Sequence, residues 1–207
     1  MKLKLGTWKL MLPVADRRRH AMRLHTDREQ ADVWVLTEAH DGSTPGRLYS
    51  HSSAAGRDGR HKHEHRWMTI WSRYTTEPLV TSDKARTAAA RITPDSGSPF
   101  AVYRTVLPWL GSAWLEHPGA GGATFREAVK VRGADWMRLR CEYLDDELFL
   151  LGDFNQDLVQ AGTAANRATF ETALESAGLV ALTAGQGDPI SRDSAPCACI
   201  DYMYARS

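Results

Sequence analysis

Apolar residues along the chain alternate with polar ones or cluster in short runs, a pattern typical of β-strands. Strands are predicted over residues 2–12, 32–38, 67–71, 100–107, 148–151 and 198–205. The run 148–151 is apolar on both faces, as in a strand at the centre of a sheet. The polar segments 41–66 and 81–98 are predicted to form loops or ragged hairpins.

Helices are predicted between some of these strands, over residues 16–30, about 124–140 and 166–177. Thr124 and Glu127 have the spacing of a capping box, which predicts the start of the second helix. Gly178 follows the third helix and predicts its end. Because strands outnumber helices and helices lie between them, the pattern predicts an α/β layered domain with mixed sheets.

The composition is that of a globular domain. The 207 residues suffice for one well-packed domain, and 43% of them are apolar and 25% charged. The formal net charge of +1 excludes a general attraction to nucleic acid, so any phosphate binding must be local. Cys141, Cys197 and Cys199 are an odd and sparse set, which favours a reducing compartment. No segment approaches the ~20 apolar residues of a membrane span, so a cytoplasmic protein without membrane contact is expected.

Three predicted strands end in or contain an acidic residue, namely Glu38, Asp153 and Asp201. Gly152 is predicted to allow a turn at the end of its strand, just before Asp153 and Asn155. Strand ends gather functional groups from distant parts of a sequence, so these side chains are predicted to meet. Their oxygens suit a hard divalent cation such as Mg²⁺, which neutralises a phosphate and activates a water.

Six short motifs follow one another along almost the whole chain. They are Gly6-Thr7-Trp8-Lys9-Leu10, Val33-Trp34-Val35-Leu36-Thr37-Glu38, Ile70-Trp71-Ser72-Arg73-Tyr74, Tyr103-Arg104-Thr105-Val106-Leu107, Gly152-Asp153-Phe154-Asn155 and Ile200-Asp201-Tyr202. In this order they resemble the endonuclease/exonuclease/phosphatase superfamily, which contains DNase I, the apurinic endonucleases and inositol-phosphate phosphatases. The resemblance implies a four-layer α/β sandwich of two mixed sheets flanked by helices. It also implies hydrolysis of a phosphodiester or phosphomonoester with Mg²⁺, or with Mn²⁺ as an alternative.

The resemblance assigns roles to four residues by position. Glu38 would be the principal metal ligand. Asp153 would orient and deprotonate the attacking water, which is the work of a general base. Asn155 would donate hydrogen bonds to the phosphate as charge grows on its oxygens. Asp201 would orient a catalytic histidine near the C-terminus.

The chain departs from the family pattern at three places. Lys9 stands where the first motif has an asparagine beside the metal, and Val106 stands where many members have a histidine. The closing Ser-Asp-His element of the family lies beyond the Asp201 motif, whereas this sequence ends at Ser207. We therefore expect a single domain over residues 1–207, truncated so that its C-terminal strands are missing.

Two functions remain open on these observations. The first is a metal-dependent phosphoesterase acting on nucleic acid or a small phosphorylated molecule, which the retained acids favour. The second is an impaired relative or fragment that binds a phosphorylated ligand or partner without turnover, which Lys9 and the missing histidine favour. Lys9 and Thr105 are predicted to line the site, and an inward Lys9 ammonium would repel a metal ion and itself neutralise the acids. An open sheet edge left by truncation predicts self-association.

A third class of function follows from the alternating histidines His61, His63 and His65. An extended segment would place all three on one face, where they could ligate zinc or nickel. The alternative, which composition favours, is a solvated basic loop.

Overall fold

The computed structural model describes residues 3–10, 15–45, 48–55, 63–108, 122–155, 163–182 and 201–206. For residues 122–123 and 201–206 it describes the backbone alone. The site positions Glu38 and Asp153 are described in full, and Asp201 through its backbone.

The first sheet has four strands and is mixed. Its strands are β1 (Leu5–Lys9), β2 (Val33–His40), β3 (Tyr49–Ser52) and β4 (His65–Ser72). They lie in the order β1-β2-β4-β3, with β1 and β2 parallel and the other pairs antiparallel. Helix α1 (Asp16–Glu29) makes the crossover between β1 and β2, as a parallel connection requires.

The second sheet has six strands. They are β5 (Thr75–Leu79), β6 (Thr87–Thr93), β7 (Phe100–Val106), β8 (Glu147–Asp153), β9 (Leu179–Ala181) and β10 (Asp201–Arg206). Their order is β5-β6-β7-β8-β10-β9, and β7 and β8 are the parallel pair. Helix α2 (Gly122–Glu142) connects β7 to β8, and α3 (Ala164–Ser176) follows β8.

Three apolar cores separate four layers. Alternate residues of β2 and β4, such as Val35 and Ile70, pack against alternate residues of β6 and β7, such as Ala90 and Val102, between the two sheets. The outer face of the first sheet packs on α1 through Met22, and the outer face of the second packs on α2 and α3. The chain is therefore a four-layer α/β sandwich, as the resemblance implied.

Several sequence predictions of elements are corrected. The segment 81–98, predicted to be a loop or a hairpin, contains strand β6, which pairs antiparallel with β5 and β7. Its small residues Ala88 and Ala90 fit between the sheets but do not favour strands by themselves. The segment 41–66 contains β3 and the start of β4. Helix α2 begins at Gly122, so Thr124 lies within it and is not its N-cap.

Other predicted elements are confirmed within the described residues. Helix α1, strand β2 and strand β7 match their predicted segments to within two residues. Helix α3 has Thr163 as its N-cap, with the hydroxyl accepting from the Asn166 N–H at 3.2 Å. Gly178 follows the helix at φ 63°, as its role as a stop requires. The described helices include none that is long and apolar enough to cross a membrane.

Candidate active site

A lysine and two acids from both sheets meet at one end of the sandwich. The Lys9 Nζ atom, at the end of β1, lies 2.8 Å from Asp153 Oδ2 at the end of β8. The same Nζ lies 3.5 Å from Glu38 Oε1 on β2. The side chain of Asp153 is 2% exposed, that of Glu38 20% and that of Lys9 35%, so the cluster is covered on one side and open to solvent on the other.

Glu38 reaches the cluster through an unusual backbone conformation. Its φ is 53°, in the left-handed region that β-branched and long side chains seldom occupy. The ladder between β2 and β4 pairs Thr37 with Met68 and Ala39 with Arg66, and the register is interrupted at Glu38 between them. Such strain costs of order 1–3 kcal/mol and concentrates at functional sites. In this conformation Glu38 Oε1 lies near Lys9 at the end of β1.

Gly152 places Asp153 at the edge of the second sheet. The sequence predicts a turn at this glycine, but Gly152 lies inside β8, opposite Thr105 of β7. Its φ is 151°, and a Cβ atom there would overlap the carbonyl oxygen of Thr105. Glycine is therefore required at position 152 for β7 and β8 to lie this close together, immediately before Asp153.

One hydrogen bond joins Asp153 to Asn155, and each residue is also held by a further partner. The backbone N–H of Asn155 donates to Asp153 Oδ1 at 3.2 Å, while Asp153 Oδ2 accepts from Lys9. The Asn155 side-chain amide donates to the carbonyl oxygen of Leu107 at 2.8 Å. Asn155 has φ 49°, which asparagine tolerates better than most residues. Both oxygens of Asp153 are thus engaged, and the loop after β7 is tied to the end of β8.

The backbone of Asp201 lies beside that of Asp153. Strand β10 pairs antiparallel with β8, and Asp201 lies opposite Asp153. The positions 38, 153, 155 and 201 therefore converge on one end of the molecule, although their catalytic roles remain predictions.

Thr105 is not brought to this cluster. Its hydroxyl accepts a hydrogen bond from Arg132 Nε of α2 at 2.9 Å, and the residue is fully buried on the helix side of the sheet. Asp153 instead faces β1 of the other sheet, and its partner in the parallel register is Val106. Alternation along β7 explains the difference, because Thr105 and Val106 face opposite sides.

A buried polar network that the sequence did not reveal supports β7 from behind. Arg132 also donates to Asp83 Oδ2 at 2.5 Å, and its side chain is fully buried. Tyr103 donates to Asp135 Oδ2 at 3.0 Å, and burial raises the pKa of this tyrosine well above its ordinary value. An arginine inside a helical pattern is usually solvent-facing, so no sequence signal distinguished Arg132.

The arrangement does not fit the divalent metal that the resemblance implies. Glu38 and Asp153 are of the right ligand type, but an ammonium group lies against both of them. In the described parts of the chain, no three His, Cys, Asp or Glu side chains are grouped so as to hold a metal ion. His61 lies outside the described residues. His65 is 3% exposed and its ring packs 5.4 Å from that of His40, so it is not part of a solvated loop.

No protein-family model and no curated protein sequence matches this chain. Solved structures do match it in fold. AP endonuclease LMAP from Leishmania major superposes with a TM-score of 0.72 at 14% identity, over 99% of this chain and 79% of that one. An AP endonuclease from Archaeoglobus fulgidus gives 0.68 at 13% identity, over 99% and 86%. Beta toxin from Staphylococcus aureus, in a structure with bound magnesium ions, gives 0.68 at 14% identity, over 100% and 84%.

These neighbours are of the endonuclease/exonuclease/phosphatase type. The chain therefore has the DNase I-like α/β sandwich fold of that superfamily. The resemblance found in the six sequence motifs is confirmed at the level of the fold.

Proposed function

We propose that this chain is a phosphoester hydrolase of the DNase I-like fold, which cleaves a phosphodiester or phosphomonoester by an activated water. The supporting observation is the meeting of Lys9, Glu38 and Asp153 at one end of the two sheets. Carboxylates beside a cation suit a reaction in which a water loses a proton while a phosphate gathers negative charge.

In this proposal, Asp153 accepts a proton from the attacking water as the new oxygen–phosphorus bond forms and the phosphorus–oxygen bond to the leaving group breaks. The leaving oxygen takes a proton from solvent and departs as an alcohol. Asn155 donates to a phosphate oxygen, and its amide has two N–H groups, so it can hold Leu107 and a phosphate together. Asp201 has no assigned step, because the histidine that the resemblance would have it orient is not among the residues after it. Lys9 supplies positive charge. Glu38 is the implied ligand of Mg²⁺ or Mn²⁺, but no step is assigned to a metal because the ammonium lies against it.

The proposed substrates are nucleic acids or small phosphorylated molecules. Two structural neighbours are named AP endonucleases, which makes a nucleic-acid phosphodiester the first natural substrate to test. The net charge of +1 supports recognition by local contacts rather than by a general positive field.

A second function, binding of a phosphorylated ligand without turnover, is favoured by one observation. Both carboxylate oxygens of Asp153 already accept hydrogen bonds, from the N–H of Asn155 and the ammonium of Lys9. With both oxygens engaged in this way, fewer acceptor positions of the carboxylate are open to receive a proton from a water.

Hydrolysis of bis-p-nitrophenyl phosphate in Mg²⁺, in Mn²⁺ and in EDTA tests the hydrolase proposal. Asp153→Asn should lower the rate by about 100-fold or more, because it removes the proton acceptor. Asp95→Asn, at an exposed acid between β6 and β7, is the matched control and should retain the full rate.

An unchanged rate in Asp153→Asn would place the activity elsewhere and end the proposal. If wild type shows no turnover but binds p-nitrophenyl phosphate, and Asp153→Asn alters that binding, the second function replaces the first. If wild type neither hydrolyses nor binds these phosphate esters, both proposed functions are wrong.

A cytoplasmic setting and self-association complete the proposal. Cys141 is a free, exposed thiol, which suits a reducing compartment.

Among the described strands, β1 is at the edge of its sheet and is half-exposed along its length, so it can pair with a second copy. Size-exclusion chromatography over a range of concentrations should show an elution volume that shifts with concentration; an invariant monomer would contradict this part.

A further inference from the structure

The ammonium of Lys9 is in contact with two acids that belong to different sheets. It is 2.8 Å from Asp153 and 3.5 Å from Glu38. The three side chains are supplied by the ends of β1, β8 and β2, so no local sequence relationship forces them together. The fold brings two carboxylates together, and the positive charge between them is supplied by the protein's own Lys9 ammonium.

We propose that Lys9 is the resident cation of this acid pair and takes the place of a divalent metal ion. The native chain then takes up Mg²⁺ only weakly at Glu38 and Asp153. This inference rests on the proposed function only in taking these residues as the reaction site. Binding of a cation by Glu38 and Asp153 does not require turnover.

The physical argument is a competition between a tethered and a free cation. Two carboxylates that face each other repel unless a positive charge lies between them. Lys9 is held beside them by β1, which pairs with β2 in parallel from Leu5 to Lys9, so its charge is always present at high local concentration. A metal ion must displace the ammonium or bind beside it, and like-charge repulsion opposes the second route.

An ordinary salt bridge between strands would show the same distances, so the two possibilities must be separated by their response to Mg²⁺. The informative variant is Lys9→Asn, which removes the charge and supplies an amide oxygen. Its melting temperature without metal should fall below that of wild type, because the acids are left facing each other. Millimolar Mg²⁺ should raise the melting temperature of Lys9→Asn and leave that of wild type almost unchanged.

Isothermal titration calorimetry with Mg²⁺ measures the same effect without any substrate. Lys9→Asn should bind Mg²⁺ about tenfold or more tightly than wild type, since replacing the ammonium by a neutral amide removes the repulsion. Lys130→Asn is the matched control, because Lys130 is an exposed α2 lysine paired with Glu127 at 2.7 Å; it should behave as wild type. The double variant Lys9→Asn/Glu38→Gln should lose the gain.

Equal and tight Mg²⁺ binding by wild type and Lys9→Asn would overturn the inference, as would a gain that persists in the double variant. If Lys9→Asn does not fold, Mg²⁺ titration of wild type and of Glu38→Gln tests the inference instead. Tight Mg²⁺ binding by wild type that Glu38→Gln abolishes would overturn the inference; weak binding by both would support it. A failed hydrolysis assay would not affect either result, so the two proposals fall separately.

Discussion

At the scale of single residues, the site depends on backbone conformations that most side chains avoid. Glu38 and Asn155 have φ angles of 53° and 49°, and Gly152 has 151°. Gly152 and Asn155 lie on either side of Asp153 at the end of β8, and Glu38 lies near the end of β2. The chain therefore tolerates local strain where its candidate chemistry is assembled, as is common for functional sites.

Gly152→Ala should lower the free energy of unfolding by about 2–4 kcal/mol, since the added Cβ combines backbone strain with overpacking. The methyl group would overlap the Thr105 carbonyl oxygen, so β7 and β8 would have to separate. Urea unfolding measures the loss. Gly42→Ala is the control: the nearest atom to its Cβ is His40 Nδ1 at 3.3 Å, and the cost should stay below about 1 kcal/mol. Equal losses in the two variants would contradict this account.

At the scale of elements, α2 is joined to the sheet by charge as well as by apolar packing. Arg132 crosses from the helix to Thr105 of β7 and to Asp83, just before β6. Asp83 in turn accepts from the backbone N–H groups of Ala85 and Arg86. One buried guanidinium thus holds a helix, a strand and a turn together.

Arg132→Met should cost about 3–5 kcal/mol of stability, because it leaves the carboxylate of Asp83 without its buried cation. The transition midpoint in urea checks this value. Lys130→Met removes an exposed cation of the same helix, whose side chain is 65% accessible, and should change stability by less than about 1 kcal/mol. A loss for Arg132→Met no larger than for the control would show that apolar packing alone holds α2.

At the scale of the molecule, the inter-sheet core makes the two sheets dependent on each other. The residues of β2 and β4 that face the second sheet are buried because β6 and β7 cover them. Neither sheet has a separate core on its inner face, so we propose that the chain unfolds as one cooperative domain.

Ile70→Ala tests this proposal. Ile70 is fully buried in the inter-sheet core, and its truncation should lower stability by about 2–5 kcal/mol. Far-UV circular dichroism and tryptophan fluorescence should give one coincident urea transition that shifts as a unit. Val80→Ala, at a residue 73% exposed, is the control and should shift it by no more than about 0.5 kcal/mol. Two separated transitions would mean that the sheets unfold independently.

Different parts of this molecule were predictable to different degrees. Strands β2, β7 and β8 were identified from their apolar runs, because strands buried on both faces leave a strong local signal. The pattern of 81–98 predicts a loop or a hairpin without locating strand β6, because the alanines of β6 have little strand preference and are selected by the narrow space between the sheets. Arg132 was missed because burial of an arginine depends on partners far away in the sequence.

The sequence alone determined the α/β class, the order of most elements and the identity of the acids at the strand ends, because these follow from local periodicity and residue chemistry. Tertiary structure alone decided that Lys9 contacts Glu38 and Asp153, and that Thr105 faces α2 instead of the site. Contacts between residues that are 29 and 144 positions apart depend on how the two sheets stack, and no local pattern encodes that distance.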